Sequence, residues 1–132
     1  MKYMMLMNTP PGPAGEFQIN NWAPEDFKAH MRFMMDFNRG IKATGEFVEA
    51  NGLTAPSQAK LVRAGANGEP ITDGPFAETK EFLVGFWILD VESPERAYEL
   101  AARVSTAPGP GGNPMNMSIE LRPLHEGPLP DV

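Results

Sequence analysis

Residues 2–7 of the chain are apolar on both alternating sets, with Tyr3, Met5 and Met7 on one parity and Met4 and Leu6 on the other. That pattern predicts a strand covered on both faces. Residues 8–23 are rich in Pro, Gly and Asn without a steady period, and read as a long loop. Pro24 then takes a first helical position, with Glu25 and Asp26 placing negative charge at the positive end of a helix dipole. Phe27, Met31, Met34, Met35 and Ile41 recur at near-helical spacing as far as about Thr44, and Gly45 supplies the stop.

Residues 47–53 and 59–63 read as two further strands, and Asn67-Gly68 as a turn into a short strand over 70–72. Residues 84–91, Val-Gly-Phe-Trp-Ile-Leu-Asp-Val, are again apolar on both parities and predict a second central strand. Ser93-Pro94-Glu95 combines an N-cap, a first-turn proline and a dipole-favoured acid. The helix it opens turns Ala97, Leu100, Ala101 and Val104 inward and ends before Pro108. After a Gly/Pro loop over 107–114, Met115, Met117, Ile119 and Leu121 alternate with Asn116, Ser118, Glu120 and Arg122 as a half-buried strand.

Strand, helix, hairpins, strand, helix, strand is the order of an α+β, ferredoxin-like split βαβ arrangement with an inserted β-hairpin. The expected division is one domain over residues 1–126 and an irregular tail over 127–132. Two helices cover one face of such a sheet, yet both central strands carry large apolar side chains on two faces. The bare face predicts a homodimer with sheets packed face to face.

Composition narrows the partners. With 17 Asp and Glu against 11 Lys and Arg in 132 residues, the net charge of −6 has the wrong sign for phosphate backbones or anionic lipid. Neither nucleic acid nor a membrane surface is an expected partner. The absence of cysteine removes disulfides, thiolate nucleophiles and zinc–thiolate sites, and fits a cytoplasmic location. The opening hydrophobic run is too short and lacks the cleavage site of a signal peptide.

The densest chemistry lies in Asp73-Gly74-Pro75-Phe76-Ala77-Glu78-Thr79-Lys80-Glu81. Gly74 and Pro75 shape a turn and Phe76 anchors it, which makes these three a structural motif. Asp73, Glu78, Lys80 and Glu81 crowd the start of a buried strand. They either serve the same turn or form a polar pocket in which a carboxylate is kept basic and a lysine is oriented.

His30 shares a helical stripe with Asp26, Phe33 and Phe37. It reads either as a general base beside aromatics or, more plainly, as half of a helix-surface ion pair next to dimer-packing aromatics. Arg63 and Arg122 are candidates for binding a ligand carboxylate, or are solvated strand residues. His125 is isolated, no metal-ligand spacing occurs, and the glycines at 109, 111 and 112 lack the lysine and helix start of a phosphate loop. No metal and no cofactor is expected. The nine methionines read as core filling, with an adaptable apolar pocket as the alternative.

DGPFAETKE followed by VGFWILDV, SPERAYELAAR and IELRPL, together with KYMMLM and GEFVEANGLTAP, resembles the DGPF-domain branch of the YCII-related family. The likeness runs from Lys2 to about Glu126. It implies a dimeric α+β barrel and says little about activity, because the family is largely uncharacterised. Relatives in the wider superfamily include small-molecule lyases and isomerases, and some members are linked to extracytoplasmic-function sigma factors. The family motif falls on Asp73, Gly74, Pro75, Phe76, Glu78, Lys80 and Glu81. The YCII branch associates a histidine and an aspartate with acid–base work. His30 lies on the first helix in the region of that histidine, while the surrounding HMRFMMDF departs from the pattern.

The expected function is therefore a homodimer that binds a small organic molecule in a barrel pocket, with Asp73, Lys80 and His30 as catalytic candidates for lyase- or isomerase-type proton transfer. Glu78, Glu81, Arg63 and Arg122 are the binding candidates. The alternative is a non-catalytic module that binds a ligand or another protein, with a link to sigma-factor regulation.

Overall fold

The computed structural model describes residues 1–8, 22–54, 58–73 and 83–127. Its elements are β1 (Lys2–Asn8), α1 (Pro24–Ala43), β2 (Phe47–Gly52), β3 (Leu61–Ala64), β4 (Pro70–Asp73), β5 (Leu83–Asp90), α2 (Pro94–Ser105) and β6 (Ile119–Pro123), with a 3-10 turn at Pro110–Gly112 before β6. Four strands form one antiparallel sheet in the order β2-β5-β1-β6, and β3 and β4 pair separately as a hairpin. That order is the split βαβ arrangement with its hairpin inserted between β2 and β5. The two strands that are apolar on both parities, β1 and β5, are the two central ones.

Alternation along β1 and β5 separates two faces. Tyr3, Met5, Met7, Trp87 and Leu89 point toward the helices and join Phe37 and Ile41 of α1 and Ala97, Leu100 and Val104 of α2 in one core. Met5, Leu89, Ile41, Leu100 and Val104 are fully buried, each contributing roughly 1.5–3 kcal/mol relative to exposure. Trp87 resolves its buried indole N–H by donating to Asn38 Oδ1 at 2.8 Å, which also docks α1 on the sheet.

The opposite face carries Met4, Leu6, Phe86 and Ile88, all half-buried and directly paired as Met4↔Ile88 and Leu6↔Phe86. Glu49 and Asn51 of β2 flank them on one side, and Glu120 and Arg122 of β6 on the other. An apolar centre thus lies between two polar edges.

Local signals explain the helix ends. α2 starts where the Ser93 hydroxyl accepts from the Arg96 amide at 3.2 Å. α1 starts at Pro24 without a side-chain cap and stops at Gly45, whose φ of 82° lies in the left-handed region that glycine enters freely. Just beyond, the Glu46 carboxylate accepts from Arg96 Nε at 2.8 Å, from Arg96 Nη2 at 2.9 Å and from the Thr44 hydroxyl at 2.6 Å. This two-pronged pair locks the α1–β2 junction to the first turn of α2.

Two expectations need correction. The pattern predicts a strand from Met115, but β6 begins at Ile119. The amides of Met115 and Asn116 instead donate to the carbonyls of Ala107 and Ser105, and the Ser105 hydroxyl donates to the Met117 carbonyl. Those bonds tie 115–117 to the end of α2 in place of a neighbouring strand. The second correction concerns α1. Phe27, Met31 and Met35, grouped with Ile41 by near-helical spacing and read as part of the core filling in the case of the methionines, are exposed, while His30, Phe37 and Ile41 are the residues buried.

Candidate functional site

The N-terminal half of α1 and the turn after α2 meet around His30. Asp26 Oδ2 accepts from the Gly111 amide at 3.1 Å, so the acid of the first helical turn is bound to the 3-10 turn and does not pair with His30. One helical turn on, His30 is 6% exposed, and the reading of a helix-surface ion pair is overturned. Its Nδ1 lies 2.9 Å from the Pro108 carbonyl oxygen. A carbonyl only accepts, so Nδ1 carries the hydrogen, and in the neutral ring Nε2 keeps its lone pair.

Burial lowers the His30 pKa from the ordinary histidine value, against the opposing pull of the Pro108 bond. The imidazole is therefore neutral at pH 7. Among the described residues Nε2 has no hydrogen-bond partner, which leaves its lone pair uncommitted there.

The segment that presents Pro108 is itself fixed. Gly109 and Gly112 donate to the carbonyls of Asn113 and Gly109 at 2.7 and 2.9 Å, and Pro108 bridges to Pro114. Trp22, two residues before α1, meets His30 edge to face, with ring centroids 5.2 Å apart and planes at 89°. The Trp22 Nε1 atom is buried and has no partner among the described residues. A proton acceptor and a hydrogen-bond donor thus stand on touching rings. Sequence reasoning missed Trp22 and Pro108. An aromatic just ahead of a helix start is a recognisable packing signal, whereas a backbone carbonyl leaves none.

The hairpin holds the other candidates. Asp73 ends β4 opposite Leu61, and its carboxylate lies 3.9 Å from Arg63 Nε, with side-chain exposures of 64% and 70%. Arg122 Nε lies 3.9 Å from Glu120 on the edge of the open sheet face, also exposed. Gly74, Pro75, Phe76, Glu78, Lys80 and Glu81 lie outside the described residues. The structure thus joins Asp73 to Arg63 and places His30 apart, under α1. Among the described residues no group of three or more His, Asp or Glu is placed to hold a metal ion. No described helix is long and apolar enough to cross a membrane.

An antiparallel sheet built from two split βαβ units, with a neutral imidazole sealed beneath its first helix, defines the class as an α+β domain protein. The chain belongs to the YCII-related domain family, whose pattern matches residues 1–109. It is 34% identical over 103 residues to an uncharacterised protein of Rhizobium meliloti (strain 1021), an alignment that covers 78% of this chain and 79% of that protein.

Proposed function

We propose that this protein is a homodimer that binds a small organic molecule and carries out proton transfer on it through His30. The observation that carries the reading is the buried, neutral imidazole with Nδ1–H committed to Pro108 and Nε2 left as a base. Such a group suits abstraction of a proton from a weakly acidic C–H or O–H, the first step of many lyase and isomerase reactions. The indole N–H of Trp22 offers a donor for an oxygen of the same molecule. The homodimer rests on the apolar centre and polar edges of the open sheet face, a form suited to packing against its own copy.

That face also favours a second reading, in which the molecule is held between two sheets. Arg122 would then bind a carboxylate at the edge, and Asp73 with Arg63 would belong to the rim; Glu78, Lys80 and Glu81 stay binding candidates on the sequence motif alone.

His30→Asn separates the two readings, because the asparagine amide can still donate to Pro108 but has nothing in place of Nε2. Native mass spectrometry of the purified wild type is expected to show a dimer retaining a small organic molecule. In D2O that molecule should exchange a carbon-bound proton on the wild type and not on His30→Asn. Equal retention and exchange in both proteins would overturn the His30 reading. Loss of the molecule on Arg122→Ala alone would favour the second, and a monomeric mass would remove the dimer.

A further inference from the structure

Helix α1 carries more apolar surface than the sheet covers. Its core-facing stripe is His30, Phe37 and Ile41. Phe27, Met31 and Met35, spaced four residues apart, form a ridge displaced round the axis and are 40%, 39% and 58% exposed. Lys28, Arg32 and Arg39 stand beside that ridge, and the two rows line an open groove of about 490 Å³. One carboxylate borders it, Asp36, and that group is engaged by Arg39 at 3.4 Å. Lys28 and Arg32 have no ion-pair partner among the described residues.

We propose that this groove is a docking site for an acidic amphipathic helix of another protein. Three cations against one anion make a basic strip on a chain whose net charge is −6. An acidic partner is thus repelled by the net charge of the chain and drawn to this strip, the arrangement that fixes orientation in charge-complementary interfaces. The floor fits the same occupant. A partner helix that sets apolar residues at i, i+4 and i+7 meets Phe27, Met31 and Met35, and flexible methionines adapt to its shape. From 27 to 39 the groove spans roughly 18 Å, about three turns, so the contact is small and suited to a transient complex.

Two other occupants fit less well. A two-fold contact with a second copy would set two strips of net positive charge face to face. An anionic membrane would face the acidic remainder of the surface along with the strip.

The probe is a synthetic fifteen-residue helix-forming peptide labelled with fluorescein, with leucines at i, i+4, i+7 and i+11 and glutamates on both flanks. Its companion carries lysine at each glutamate position. Fluorescence anisotropy with the full chain is expected to show binding of the acidic peptide, weakened at least ten-fold by Met31→Glu and by added salt, and little binding of the basic one. The variant Lys28→Glu with Arg32→Glu should reverse the preference and take the basic peptide, a gain that misfolding cannot produce.

Failure of the acidic peptide to bind, or binding indifferent to Met31→Glu, would overturn the proposal. So would a change of oligomeric mass on Met31→Glu, which assigns the groove to a second copy. Co-sedimentation with phosphatidylserine vesicles that Met31→Glu abolishes would assign it to a membrane instead.

Discussion

His30 and Asp73 are both ionisable side chains on regular secondary structure, but they live in different media. His30 is enclosed by α1, the turn after α2 and Trp22, with one nitrogen held by a backbone carbonyl. Asp73 stands at the end of a two-stranded hairpin, mostly exposed, with a long contact to an equally exposed arginine. Water and salt screen the second pair until it contributes little, while burial holds the imidazole neutral. Burial, and not the number of charged residues in a motif, is what sets His30 apart.

The contrast can be broken first at the sheet that supports His30. Leu89 is fully buried, and Leu89→Ala is expected to cost about 3 kcal/mol, read from the urea midpoint. A loss below about 1 kcal/mol would mean that the core under His30 collapses easily or is already loose. Next comes the brace at Glu46. Glu46→Ala leaves Arg96 without its two-pronged partner and should cost about 2 kcal/mol by the same measurement.

Acid sharpens the comparison without a change of core. The folded pKa of His30 lies below 6.5 through burial, and that of Glu46 below 4.5 chiefly through its Arg96 bonds. As pH falls through 6.5, the unfolded chain takes up a proton that folded His30 does not, so stability declines until the folded value is reached. A second decline begins near 4.5 as unfolded Glu46 protonates first. Thermal melts across pH should show both steps, the upper one missing in His30→Asn and the lower one reduced in Glu46→Ala. The smallest expected effect is that of Asp73→Asn, within about 0.5 kcal/mol of wild type by urea midpoint. A larger loss would show that the hairpin matters to the domain as much as the sheet does.

Much of the fold was legible because periodicity encodes burial directly. Apolar residues on both parities placed β1 and β5 at the centre, and Ser93 with Ala97, Leu100, Ala101 and Val104 gave both the start and the buried face of α2. The site was less legible, for a reason specific to α1. That helix carries two apolar rows, one through His30, Phe37 and Ile41 and one through Phe27, Met31 and Met35, and helical spacing alone cannot say which row meets the sheet. Tertiary packing decided it, with Asn38 fixed by Trp87 and Asp26 by the Gly111 amide. The start of β6 was hidden likewise, since the bonds that hold 115–117 to the end of α2 are backbone amides and a serine hydroxyl, which alternation does not register.

The place of β1 in the sheet has a kinetic consequence. Its two neighbours, β5 and β6, lie in the second half of the chain, with Tyr3 opposite both Leu89 and Pro123. The first strand therefore has no sheet partner until about two thirds of the chain exists, and the loops to be closed are among the longest available. A newly made chain must carry its methionine-rich opening segment uncovered through most of synthesis. Completion of the sheet is then a late event, because β6 adds its last edge, and the interval before it is when the chain is most open to aggregation.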